Sequence, residues 1–224
     1  MSLSLMHFIS FRRIVCVWAA WASCLLAGPV SAGNQKYEPL SASVRSQLSK
    51  AVADSAVEKA AFAEAPETQR WLTEMNLRLE RKIGDAEFRK DFLNTVHYEA
   101  TRAGLDPELM LGLIEVESGF KKYAVSTAGA RGFTQVMPFW ADLIGTHEHN
   151  LFHLRTNLRY GATILRHYVD IERGDLFRAL GRYNGSLGKR EYPELVYAAW
   201  RNHWTYALPP RGLGLRAATG SNRY

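Results

Sequence analysis

Cysteine is nearly absent. The 224 residues contain two, Cys16 and Cys24, both close to the N-terminus. If that stretch is removed on export, the remaining chain has none, which excludes disulfides, thiolate metal sites and a cysteine nucleophile together. Strand-like patterning is missing as well: Val, Ile and Thr never gather in alternating runs, so no strand is expected. A phosphate-cradling glycine loop, a dinucleotide fingerprint and a serine nucleophile elbow do not occur. Charge of one sign is scarcely in excess, 28 Lys+Arg against 22 Asp+Glu for a net +6. That gives no ground for a nucleic-acid partner, although a weakly basic surface suits polyanionic polymers. Apolar residues at 47% and charged ones at 22% exclude disorder along the whole length.

The one long apolar run covers residues 14–28, short against the ~20 residues that span a bilayer. It follows Arg12-Arg13 and leads to Val30-Ser31-Ala32. A positive start, a short apolar stretch and a small-residue exit describe a secretory signal peptide over 1–32. A retained membrane anchor and lipoprotein processing at Cys24 are the alternatives, the second poorly served by the preceding Trp21-Ala22-Ser23. The expected destination is the periplasm, with membrane association or release outside the cell left open. Cleavage removes Arg12 and Arg13 and no acid, leaving a net charge of +4.

Residues 33–84 read as a polar, Pro-containing linker followed by a helical arm rich in Ala, Glu, Leu, Arg and Gln, broken at Ala65-Pro66. Trp71, Met75, Leu77, Leu79 and Ile83 are expected to form one apolar stripe packed on the next part of the chain. The body, 85–205, continues the helical pattern to a stop at Ala103-Gly104. Asp106 and Pro107 supply the cap and first residue of the next helix, which is expected to run to about Phe120. Further helices are expected over 138–144, 154–173, 176–183 and 192–204, and a mobile tail over 206–224. The fold class is all-α.

One carboxylate stands in an unusual place. On a helical wheel with Leu109 at zero, Val116, Phe120, Leu113, Met110 and Ile114 fall at about 340°, 20°, 40°, 100° and 140°. Glu117 falls at about 80°, inside that apolar face, whereas Glu115 falls near 240° on the other side. An ionised carboxylate there costs several kcal/mol, so such a group has a raised pKa or a dedicated partner. The first outcome is what a general acid at neutral pH requires. The second is a structural buried glutamate, and periodicity alone does not separate the two.

The neighbouring motifs do. Glu117-Ser118 is followed by the small-residue turn Ser126-Thr127-Ala128-Gly129-Ala130-Arg131, then by Gly132-Phe133-Thr134-Gln135-Val136-Met137-Pro138, and later by Arg182-Tyr183-Asn184. In these residues the chain resembles the family 1, soluble-type lytic transglycosylases, whose catalytic domain is goose-lysozyme-like. The family's Glu-Ser, Gly-Leu-Met-Gln-x-Met-Pro and Ala-Tyr-Asn motifs match in order. Its late Tyr matches Tyr192 best, with Tyr197 as the fallback, and the resemblance covers roughly residues 96–204. Departures are Phe133 for Leu, Thr134 for Met and Arg182 for Ala, which are expected to alter the lining of the groove. The acid that many members carry four positions before the late Tyr is replaced by Gly188.

The resemblance implies a lysozyme-like helical domain that cleaves the β-1,4 bond between N-acetylmuramic acid and N-acetylglucosamine of peptidoglycan. It implies that Glu117 first protonates the bond and then, as a base, activates the sugar's own 6-hydroxyl, leaving a 1,6-anhydro end without water. Ser118, Ser126 and Tyr192 are then expected near the acid or the acetamido group. Gln135 and Asn184 are expected on sugar amides and hydroxyls, and Phe133, Met137 and Tyr183 as groove walls. No cofactor or metal is expected. His147-Glu148-His149 with His153 lacks the His-Glu-x-x-His order, since Leu151 takes the second His place. Arg155, Arg159 and Arg166 are expected to form a solvated or ion-paired face, and Trp200 and Trp204 to anchor the last helix. The implied partner is the glycan strand, with no nucleic acid; protein partners in the cell envelope are open and a monomer is expected. The alternatives are a hydrolytic muramidase and a non-catalytic peptidoglycan-binding protein. N-terminal sequencing of the exported protein is expected to begin at Gly33; an intact Met1 would contradict the leader.

Overall fold

A computed structural model of the chain describes residues 34–53 and 65–206. The expected leader with Cys16 and Cys24, and the expected tail beyond residue 206, lie outside the described residues. Among the described residues the fold is all-α, as expected, with two isolated bridges, Val125 to Arg131 and Arg131 to Val136, and no strand.

The arm holds α1 (Ala42–Ala53) and α2 (Pro66–Leu79). Pro66 opens α2 at its first position, where a missing N–H costs nothing. Trp71, Met75 and Leu79, four residues apart, are buried with Ile83, while Leu77 is 63% exposed. The expected stripe is thereby corrected: Leu77 sits about 240° around the wheel from Trp71 and cannot share its face. In α3 (Ala86–Arg102) Asp85 accepts the Phe88 N–H at 2.8 Å, and Gly104 at φ 67° closes the end. In α4 (Pro107–Ser118) Asp106 accepts from the N–H groups of Glu108 and Leu109. This helix stops short of Phe120 because Gly119 and Phe120 both turn left-handed. After α5 (Phe139–Ile144) come α6 (Leu154–Ile171) and α7 (Leu176–Tyr183), the latter capped by Asp175. The expected last helix is divided: α8 (Glu191–Ala199) passes into a wide π turn, Trp200–Trp204.

The core gathers around α4. It packs on α3, on α8 and on the π turn, α6 packs on α3 and α7, and the arm lies outside, α1 on α5 and α6, α2 on α3. A Cβ on Gly112 would stand 2.9 Å from the Trp200 backbone nitrogen. Glycine in a helix interior costs about 1 kcal/mol relative to alanine; here its bare face admits the π turn and draws α8 close to α4.

Two buried polar groups tie the layers together. Glu99, fully buried on α3, meets Arg159 at 3.1 Å, Arg102 at 3.1 Å and Arg155 at 3.4 Å. Arg155 and Arg159 are therefore structural, and Arg166 pairs with Asp170 on the surface. Asn157, fully buried on α6, accepts from the N–H and hydroxyl of Thr134 and donates to the carbonyls of Arg131 and Leu151, each at 2.9 Å. Thr134 thus serves Asn157 inside the fold, where it is fully buried, and does not line a groove as expected. Asn157→Ala strands several buried groups at ~1 kcal/mol or more each and is expected to lower Tm by about 10 °C with helical content intact. A shift under ~2 °C in a thermal scan would contradict this role.

Candidate active site

Glu117 is the penultimate residue of α4, 5% exposed. Tyr192, in the first turn of α8 and 1% exposed, donates its hydroxyl to Glu117 Oε1. The contact spans the α4–α8 seam that Gly112 permits. Of the two candidates for the late tyrosine, the structure brings Tyr192 to the acid, whereas Tyr197 stacks between Phe177 and Trp200. Glu115, two residues before the acid, faces the other way and binds Lys82, His203 and the Trp204 indole.

Tyr183, the last residue of α7, is fully buried and donates to the Thr134 carbonyl at 2.7 Å. Burial first, and the nearby Glu117 charge second, push the hydroxyls of both Tyr183 and Tyr192 well up. Both therefore remain protonated donors over any physiological pH.

The loop between α4 and α5 is folded on itself. Arg131 and Val136 exchange backbone hydrogen bonds at 2.9 and 3.1 Å, and Gly132 donates to the Ala124 carbonyl at 2.9 Å. Gln135, 2% exposed, sits at φ 49°, a left-handed conformation that costs a non-glycine residue about 1 kcal/mol. Its side-chain amide offsets this by donating to the Ala124 and Gly132 carbonyls at 3.1 and 2.9 Å. Gln135 therefore acts first as the pin of its own loop. Ser126 accepts from the Ala130 N–H within the same loop, and Ser118 donates back to the Ile114 carbonyl of α4. The contacts of these two serines are local.

Met137 is half-buried at the loop's end. Phe133, by contrast, is 1% exposed with its ring 4.9 Å from that of Phe92 and 6.4 Å from that of Phe88. The expectation of a groove wall is corrected for Phe133, which packs into the core as the apolar neighbours on α3 demand. Asn184, closing α7, donates to Ser186 at 3.1 Å, while its buried Oδ1 has no hydrogen-bond partner among the described residues. A buried carbonyl without a donor is costly, and an incoming N–H or O–H would satisfy it.

The structure thus brings Tyr192 and Tyr183 to Glu117, places Gln135 in the loop whose Thr134 carbonyl Tyr183 meets and Asn184 next to Tyr183, and leaves Phe133 in the core. Sequence reasoning missed Gln35, whose carboxamide meets the backbone of Gln135 and Met137. No periodic or motif signal marks it.

Comparison with known proteins bears on the domain as a whole. Residues 94–203 match the Transglycosylase SLT domain. Over 56 residues the chain is 48% identical to the membrane-bound lytic murein transglycosylase C of Actinobacillus pleuropneumoniae serotype 5b, a stretch covering 25% of this chain and 15% of that protein. It is 31% identical over 98 residues to the transglycosylase of Enterobacteria phage PRD1, covering 44% of this chain and 36% of that one. The membrane-bound lytic murein transglycosylase C of Glaesserella parasuis serovar 5 is 49% identical over 47 residues, 21% of this chain and 13% of that protein. The chain thus spans only a minor part of these relatives' length. No solved structure matches it. Residues 94–203 of this chain form a transglycosylase SLT domain.

Proposed function

We propose that the chain is a peptidoglycan lytic transglycosylase that cleaves the β-1,4 bond after N-acetylmuramic acid and leaves a 1,6-anhydro end, with Glu117 as acid and then base. The observation that carries the reading is a carboxyl group buried in an apolar helix face and met by a tyrosine hydroxyl, inside a domain of this family.

Burial, the helix end and the tyrosine hydroxyl all act on the Glu117 proton. Burial disfavours the carboxylate by several kcal/mol. The C-terminal end of α4, one residue away, adds a few tenths to ~1 kcal/mol in the same direction. The Tyr192 hydroxyl favours the carboxylate by about 1 kcal/mol. The proposed reaction requires burial to outweigh the hydrogen bond, because the protonated carboxyl is the state that can donate to a glycosidic oxygen.

Hydrolysis by the ordinary two-carboxylate route needs a second acid facing the first. The candidates nearest in sequence are engaged elsewhere, Asp106 as the cap at the other end of α4 and Glu115 in its ion pairs. A single acid suffices when the substrate supplies its own acetamido and 6-hydroxyl groups. In this reading Tyr192 orients the carboxyl and later stabilises the carboxylate. Asn184 Oδ1 and the backbone around Gln135 and Met137 receive sugar amides and hydroxyls, and Met137 offers apolar surface, whereas Tyr183, fully buried, is a groove wall no more than Phe133 is. Ser118 and Ser126 hold the flanking backbone in shape. The same reading places the protein in the cell envelope, exported to the periplasm. Among the described residues no helix is long and apolar enough to cross a membrane.

Glu117→Gln is expected to keep the helical content and Tm of the parent while losing turnover of sacculi by several orders of magnitude. Mass spectrometry of the parent's products is expected to show anhydro-ended muropeptides. Reducing ends would instead mean hydrolysis, and full activity of the variant would end the assignment. Tyr192→Phe is expected to lower kcat by roughly 100-fold. Because the protonated acid is the active form, the rate falls as pH rises through the Glu117 titration; a rate unchanged in Tyr192→Phe would contradict its place beside the acid.

A further inference from the structure

Glu117, Tyr183, Tyr192 and Gln135 are 5%, 0%, 1% and 2% exposed. An acid so enclosed cannot touch a polymer until something moves. Against Gln135 and Tyr183 lies the beginning of the described chain, residues 34–38. Gln35, itself 4% exposed, donates from Nε2 to the Gln135 carbonyl at 3.3 Å and accepts at Oε1 from the Met137 N–H at 3.1 Å. The same carboxamide lies within reach of the Tyr183 hydroxyl, whose charged neighbour is Glu117.

The segment is held on either side of Gln35. The Asn34 carbonyl stands 2.0 Å from where a Cβ on Gly185 would be, so a backbone approach this close needs the bare glycine directly after Asn184. Glu38 pairs with Arg182 at 2.8 and 3.1 Å, and the Tyr37 ring meets the edge of Phe139 at 5.7 Å. Arg182 stands where the Ala-Tyr-Asn motif has alanine. Its length is what reaches Glu38 on one side and Glu172 on the other.

Resting on the proposed function, we propose that residues 34–38 are an intramolecular competitor, a strap that occupies the substrate site and must be displaced before a glycan binds. The chemistry of the mimicry is specific. An acetamido group offers one N–H and one C=O on a single planar unit, and so does the Gln35 carboxamide. The Gln135 carbonyl and Met137 N–H read that donor–acceptor pair. Two neutral hydrogen bonds and one partly exposed ion pair are individually weak, so the strap yields to a ligand that makes more contacts. On the cleavage expected after Ala32, the strap is the free end of the exported chain and needs no hinge to leave.

The test uses the exported chain carrying Glu117→Gln, so that nothing is turned over, and tri-N-acetylchitotriose as the probe. Kd is measured by calorimetry with and without Gln35→Ala and Glu38→Ala. Each is expected to tighten binding several-fold and the pair by about tenfold, because a ligand's apparent affinity is reduced by the fraction of molecules whose site is occupied. At saturation, the Gln35 side-chain amide resonances are expected to move to the positions of a free carboxamide while those of the helical body stay. Unchanged or weaker affinity in Glu38→Ala, which lies outside the contacts of the carboxamide, would overturn the proposal. So would Gln35 side-chain resonances that stay in place at saturation, or a probe that no variant binds. Anhydro-ended fragments from the parent together with no gain in affinity would sink the strap alone. Tighter binding, with no fragments from any variant that keeps Glu117, would sink the catalytic reading alone.

Discussion

The site depends on how closely α8 can lie against α4. Gly112 supplies the room: without a side chain it lets the Trp200 turn rest on the helix backbone, and the first turn of α8 then carries the Tyr192 hydroxyl to Glu117. A residue with a Cβ at 112 would have to push that turn away. In the proposed reaction, catalysis thus rests on a packing contact between residues that take no part in the chemistry. The carboxyl of Glu117 is enclosed by this packing and is met there by the Tyr192 hydroxyl.

The same sequence signal has two outcomes in this chain, and the pair shows what periodicity reads and what it does not. On α3, with Phe92 at zero, Val96, Glu99 and Ala103 fall at about 40°, 340° and 20°, so Glu99 lies in an apolar face just as Glu117 does. Glu99 is met by Arg102, Arg155 and Arg159, and its charge is neutralised inside the fold. Glu117 is met by a hydroxyl. Periodicity finds a carboxylate that will be buried; it says nothing about which side chains arrive from other helices. The ordered motifs around Glu117 supplied part of the missing information, since they offered Tyr192, with Tyr197 as the fallback, as a neighbour of the acid.

Elements with local causes were legible. The cap Asp106, the stop at Gly104 and the break at Pro66 are chemistry within a few residues. What was not legible arises from contacts across the chain. Phe133 follows Phe88 and Phe92 into the core, and Thr134 is claimed by Asn157 from α6. Gln35 reaches Gln135 across a hundred residues from a stretch that reads as linker. The departure at Arg182 likewise has no local meaning. It acquires one only beside Glu38 and Glu172.

The proposed chemistry turns on the proton of a single carboxyl group. Carbon-13 labelling of the glutamate side-chain carboxyl, with Glu117→Gln to assign its resonance, allows that group to be followed by NMR through a pH titration of the exported chain. Burial that outweighs the Tyr192 hydrogen bond predicts that the Glu117 carboxyl holds its proton well above the ~4.3 of a free glutamate. A resonance that titrates with the exposed glutamates would contradict it.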